Sequence, residues 1–487
     1  MRKLRGILHR VRLKRAALLA GLAASAAIAA ALNLTSWNVP LSASNAHAAS
    51  TTPKYVVLAW NDLGMHCYNQ DFQDMAILPP YNNLWAQVLE VGDPPQLVTS
   101  GITVSYSLDD NTYSVGKTNF WTYAQQLFGV NLPPNIGLKG KGLSGTMDLA
   151  GDHFEADGIP ATEYTDSAPT TPDPYQTATI IVRDSATGVE LARNQVVVPN
   201  STEMSCGNCH SDGGVNGIAT GRVATNILTL HDSLNKDLIG TANYPKALMD
   251  SRPVLCASCH ADNALNATGM QTGEAGVPSL SNAMHTVHAG KVPDTTDGCY
   301  SCHPGPTTKC LRDTMYQEGL SCVDCHGTVA HVAQNSNPWL NEPRCDSCHE
   351  GVHQNNALYR FSTGHGDLYC AACHDSPHAI APSVQPKDAI KFINLQGHNG
   401  PLDTCTVCHA TQPSGTFNMS SSTSATPVPT TGATVTPAPT VGPTNTPNPT
   451  GEATSTPSPT VWPTETPIPS HTPTATPRPR HRGKSDN

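Results

Sequence analysis

The stretch CDSCHEGVH at 345–353 carries the pattern on which the chain is built. Two cysteines stand three apart, a histidine follows the second at once, and another histidine comes four residues later. The Cys-x-x-Cys-His pattern occurs seven times. Its members are Cys206, Cys209 and His210; Cys256, Cys259 and His260; Cys299, Cys302 and His303; Cys322, Cys325 and His326; Cys345, Cys348 and His349; Cys370, Cys373 and His374; and Cys405, Cys408 and His409. With 16 cysteines and 21 histidines in 487 residues, chance would supply about 0.02 copies.

This pentapeptide is the attachment signal for c-type haem. In a helical turn, positions i and i+3 share a face and i+4 lies beside them. Two sulfurs can then bond to one edge of a porphyrin while the histidine reaches beneath the ring to the iron. Zinc ribbons do not need a histidine directly after every second cysteine, and a secreted disulfide framework would not repeat so fixed a doublet.

On these motifs, residues 201–410 resemble the multihaem c-type cytochromes, with seven covalently attached haem c groups. The resemblance implies that His210, His260, His303, His326, His349, His374 and His409 are proximal iron ligands. It also points to the secreted cytochromes of extracellular electron transfer.

The ends of the chain concern location. Residues 1–48 read as a signal peptide: a basic segment, an Ala-rich apolar segment at 16–32, and small residues (AHA, 46–48) for cleavage. The rival reading is an uncleaved anchor. Export suits thioether attachment, which in bacteria takes place outside the cytoplasm. The leader carries seven Lys/Arg and no acid, so without it 21 basic residues face 38 acidic ones, a formal charge of −17. That argues against nucleic acid or anionic membrane as partner. Residues 411–487 are Thr/Pro/Ser-rich without apolar periodicity and are expected to be a disordered, partly polyproline-like stalk. They resemble the stalks of secreted bacterial surface proteins, which implies attachment at the cell surface; a plain disordered tail is the alternative.

Residues 49–200 hold no motif and read as an all-β, sandwich-like domain. YVVLAW, LWAQVLEV and GITVSYSL are short strands, and TATIIVRDSATGVELARNQVVV reads as two strands around a turn. WNDLGMHCYN with ILPPYNNLWAQV resembles an N-terminal domain of some secreted multihaem cytochromes of metal-reducing bacteria. DLAGDHFEADG (148–158) reads as a solvated loop, since it lacks the spacing of a calcium-binding EF-hand. The motif region has 30 residues per haem, too few for an ordinary core, so short helices and loops packed around cofactors are expected there.

If every iron is six-coordinate, seven distal ligands are needed. His231, His285, His288, His331, His353, His365, His378 and His398 are interleaved with the motifs and are the candidates. His331, His353 and His378 each closely follow a motif. A linker of four or five residues is too short to pass round the porphyrin edge, so each is expected to serve a neighbouring haem. His285 and His288 lie on one helical face and suit either two adjacent haems or one; His365 is a candidate surplus. His66 and His153, in the β part, are weaker candidates. Met284 and Met315 read as packing residues. Cys67 and Cys310 remain over, and in an exported protein they are a candidate disulfide.

Three functions stay open at this point. An electron carrier would use seven closed bis-histidine haems to exchange electrons with redox proteins or extracellular acceptors. A reductase of nitrite, hydroxylamine or tetrathionate type needs one open iron; all seven motifs here end in His, with no Cys-x-x-Cys-Lys, which weighs against it. A subunit of a self-assembling cytochrome filament would lend a histidine to the next copy.

Overall fold

The computed structural model describes residues 54–266, 272–334 and 342–414. The leader, and the stalk beyond residue 414, lie outside the described residues. Those described belong to one compact unit: a β-rich region with sheets, followed by a helix-containing region.

Two five-stranded sheets form the β-rich region. The first contains β1 (Tyr55–Trp60), β4 (Asn82–Glu90), β9 (His153–Ile159) and β8 (Asp148–Ala150) in that order, with β5 (Gln96–Leu97) also paired to β4. The second runs β2 (His66–Cys67), β11 (Glu190–Ser201), β10 (Tyr175–Asp184), β6 (Ile102–Leu108), β7 (Ser144–Thr146). The expected strands at 55–60, 84–91, 101–108 and 177–198 therefore form. A helix, Phe120–Phe128, also folds within this region and was not foreseen; its Phe120, Ala124, Leu127 and Phe128 pack against Phe72 and Leu255. Residues 148–158, read as a solvated loop, are instead the hairpin of β8 and β9. Gly151 makes its turn with φ +73°, a conformation glycine adopts without a Cβ clash.

β1 and β4 explain why their sequences run apolar with so little alternation. Successive strand side chains point to opposite faces, and here both faces are covered. Val57, Ala59, Leu84, Ala86 and Val88 enter a core shared with the second sheet. Val56, Leu58, Trp60, Trp85 and Leu89 enter another core with Tyr359, Leu368, Ala371 and Ala372 of the motif region. A strand buried on both sides reads as a continuous apolar run.

The boundary expected at 200/201 is crossed by structure. β3 (Met75–Ala76) pairs in parallel with β12 (Val254–Leu255), which leads directly into the second motif. β2 pairs in parallel with the end of β11, setting His66 against Asn200 and Cys67 against Ser201. Among the described residues no helix is long and apolar enough to cross a membrane.

Candidate haem-attachment and ligand sites

Each motif forms one helical turn. In five of them the histidine N–H donates to the first cysteine's carbonyl at 2.9–3.0 Å: His210 to Cys206, His260 to Cys256, His303 to Cys299, His349 to Cys345 and His409 to Cys405. The other two are the short helices Cys322–His326 and Cys370–His374. Ser321 and Asp324 close a reciprocal capping box at the start of the former, satisfying backbone donors there.

Five motif histidines stand opposite a second histidine. Ring centroids are 6.3 Å apart for His210 and His288, 6.3 Å for His260 and His231, 6.1 Å for His303 and His285, 6.0 Å for His326 and His378, and 6.1 Å for His409 and His365. These separations can be tested against the geometry of an iron held between two imidazoles. A metal–imidazole bond is about 2.0–2.1 Å, and the ring centre lies about 1.1 Å behind the ligating nitrogen, so ligands on opposite sides of one iron have centroids about 6.2 Å apart. The interplanar angles range from 24° to 81°. Both ring planes contain the ligand–metal axis, so such rotation is compatible with shared ligation. The residues present fit a haem iron in all five places.

The outer nitrogen of six of these rings is tied down. Nδ1 contacts the carbonyl oxygens of Pro278 (His260, 2.9 Å), Ser281 (His285, 2.7 Å) and Met284 (His288, 2.7 Å). It meets Tyr244 Oη at His231 (3.1 Å), Asp93 Oδ1 at His409 (3.3 Å) and Cys310 Sγ at His378 (3.6 Å). Tying Nδ1 leaves Nε2 as the lone-pair nitrogen and fixes the ring's direction, as in metal-bound histidines. Burial, with the facing imidazoles adding to it, pushes His303 and His326 down to about 4, so both are neutral and able to donate a lone pair near pH 7.

His378 follows the sixth motif yet faces the histidine of the fourth, and His365, the expected surplus, faces the seventh. His285 and His288 face two different motifs. His349 and His374 face no histidine ring among the described residues; His331, His353 and His398 likewise face none. His398 lies 3.3 Å from Asp403 at the surface. His66 and His153 have structural partners instead. His66 Nε2 meets the Pro79 carbonyl oxygen at 2.8 Å, while His153 lies 4.3 Å from the Trp85 ring and 2.9 Å from Asp152.

Cys67 and Cys310 form no disulfide in this structure. Burial, with Cys310 nearby adding to it, pushes Cys67 up to about 12. Cys310 instead contacts His378, an ordering role that sequence reasoning missed. Asp93 and Cys310 are far in sequence from the rings they hold, so no local pattern marks them. Among the described residues no three His, Cys, Asp or Glu side chains converge as a metal cluster. A haem iron takes only two ligands from the chain, so facing pairs are the relevant arrangement. No family model, curated protein or solved structure gives a significant match to this chain.

Proposed function

We propose that this chain is an exported heptahaem c-type cytochrome that relays electrons at or beyond the cell envelope. The five facing histidine pairs, spaced as two ligands of one iron, carry the reading. The seven motifs would hold seven haem c groups through paired thioethers, and these supply reversible one-electron chemistry. The chain's residues do the rest. The motif turn presents two sulfurs and one imidazole on one face. The facing histidine would hold the iron from the opposite side, which would leave no position for a substrate at those five places. Nδ1 partners hold the rings in place and set their donor strength. The β region packs Trp60, Trp85 and Leu89 against Ala371 and Ala372 of the sixth motif. Redox proteins or extracellular acceptors are the partners, and the Thr/Pro tail suits attachment at the cell surface.

A reductase is the second reading, favoured by His349 and His374 facing no histidine ring among the described residues. His331, His353 and His398 remain to close those two positions. EPR of the mature, haem-loaded protein, with and without nitrite, separates the readings. An entirely low-spin spectrum unmoved by nitrite is the expected result. A high-spin fraction of one or two sevenths that shifts with nitrite would give the reductase precedence.

A further inference from the structure

We infer that the motifs are not arranged in space in their sequence order: the first motif sits between the second and the third. This rests on the proposed haem attachment, because the motifs then order the relay.

Two helices carry the argument. Helix Val223–Leu234 joins the first and second motifs. Its His231 faces His260, and its Asn226 Nδ2 donates to the carbonyl of His210 at 2.9 Å. Helix Leu280–His288 joins the first and third. Its His288 faces His210, and its His285, one turn earlier, faces His303. The first motif thus shares one helix with each of the other two. The contact with the third is reinforced at Glu203, three residues before Cys206. Its carboxylate accepts backbone N–H bonds from Gly305, Thr307 and Thr308, just beyond His303.

Beyond the third motif the links branch, because His326 of the fourth motif faces His378, four residues after the sixth. Helix Thr296–Tyr300, which contains Cys299, packs on helix Cys322–His326. Cys345 and Cys370 pack on the same Trp60 core. Leu402 N–H donates to the carbonyl of Cys373 at 2.9 Å, and His365, five residues before Cys370, faces His409. Beyond the seventh motif the chain meets the β-rich region: Thr411 Oγ1 donates to Asp93 at 2.7 Å.

The test is an experimental structure of the full mature protein with its haems, preceded by its intact mass. Seven attached haem masses, with the first haem lying between the second and third, is the expected result. Seven haems with the second lying between the first and third would overturn the order and leave the attachment reading standing. Fewer than seven haem masses would overturn the attachment reading itself.

Discussion

His288 and His66 are both histidines in contact with backbone carbonyls, yet their surroundings assign them opposite roles. His288 is tied through Nδ1 and faces His210. His66 uses Nε2, the nitrogen a metal would need, on Pro79. Replacing His288 by Ala is expected to turn one iron of seven high-spin in EPR, while His66→Ala leaves the spin state unchanged. Asp62 makes a separate prediction. Burial, then the like charge of Asp157, pushes its carboxyl up to about 7, against the opposing pull of Arg360 at 3.9 Å. An acid with a raised native pKa holds its proton more tightly folded than unfolded. Its contribution to stability is therefore complete below about pH 4 and lost as pH rises through about 7. That rise in pKa corresponds to about 4 kcal/mol at most. Melting temperature should therefore fall more steeply over pH 4–7 in the parent protein than in Asp62→Asn, measured by calorimetry.

Between elements, the segment after the third motif is fastened to the last described helices by a buried ion pair. Arg312 Nε and Nη2 donate to the Asp388 carboxylate at 2.7 and 3.2 Å, and Arg312 Nη1 donates to the Cys310 carbonyl at 3.0 Å. Both side chains are almost fully enclosed, 1% and 3% exposed. Removing one partner leaves an uncompensated buried charge, so Asp388→Ala is expected to cost about 3–5 kcal/mol in denaturant unfolding. The double change Arg312→Met with Asp388→Leu should recover most of that loss, since it leaves no buried charge unpaired. Trp60 is the corresponding apolar fastening. It is fully buried, 6.3 Å from Trp85 and 5.5 Å from Tyr369 by ring centroids. Trp60→Ala is expected to cost about 3–5 kcal/mol, read in the same experiment.

For the whole molecule, the shared cores matter more than the boundary at 200/201. β1 and β4 each give one face to the second sheet and the other to the sixth motif's surroundings. Residues 202–414 expressed alone would expose the apolar surface around Tyr359, Ala371 and Ala372. That fragment is expected to be digested by protease under conditions in which residues 49–414 resist, as limited proteolysis would measure. If the fragment resisted equally, the β-rich region would be an independent domain.

Seven motifs, their helical turns and the strands of the β-rich region were legible because each depends on a few neighbouring residues. Covalent spacing alone makes Cys-x-x-Cys-His readable, and β-branched runs between Gly/Pro turns make the strands readable. The distal side of each site was not legible in that way. A histidine such as His365 or His378 has the same local sequence character whichever ring it faces, and its partner is chosen by packing across the fold. The hairpin at 148–158 was misread because its polar residues find their strand only through pairing with β4. By itself, the sequence determined the repeated Cys-x-x-Cys-His motif and the kinds of local structure. Which histidine faces which, which thiol or carboxylate steadies a ring, and which motif lies beside which were decided by tertiary structure, because those relations join residues far apart along the chain.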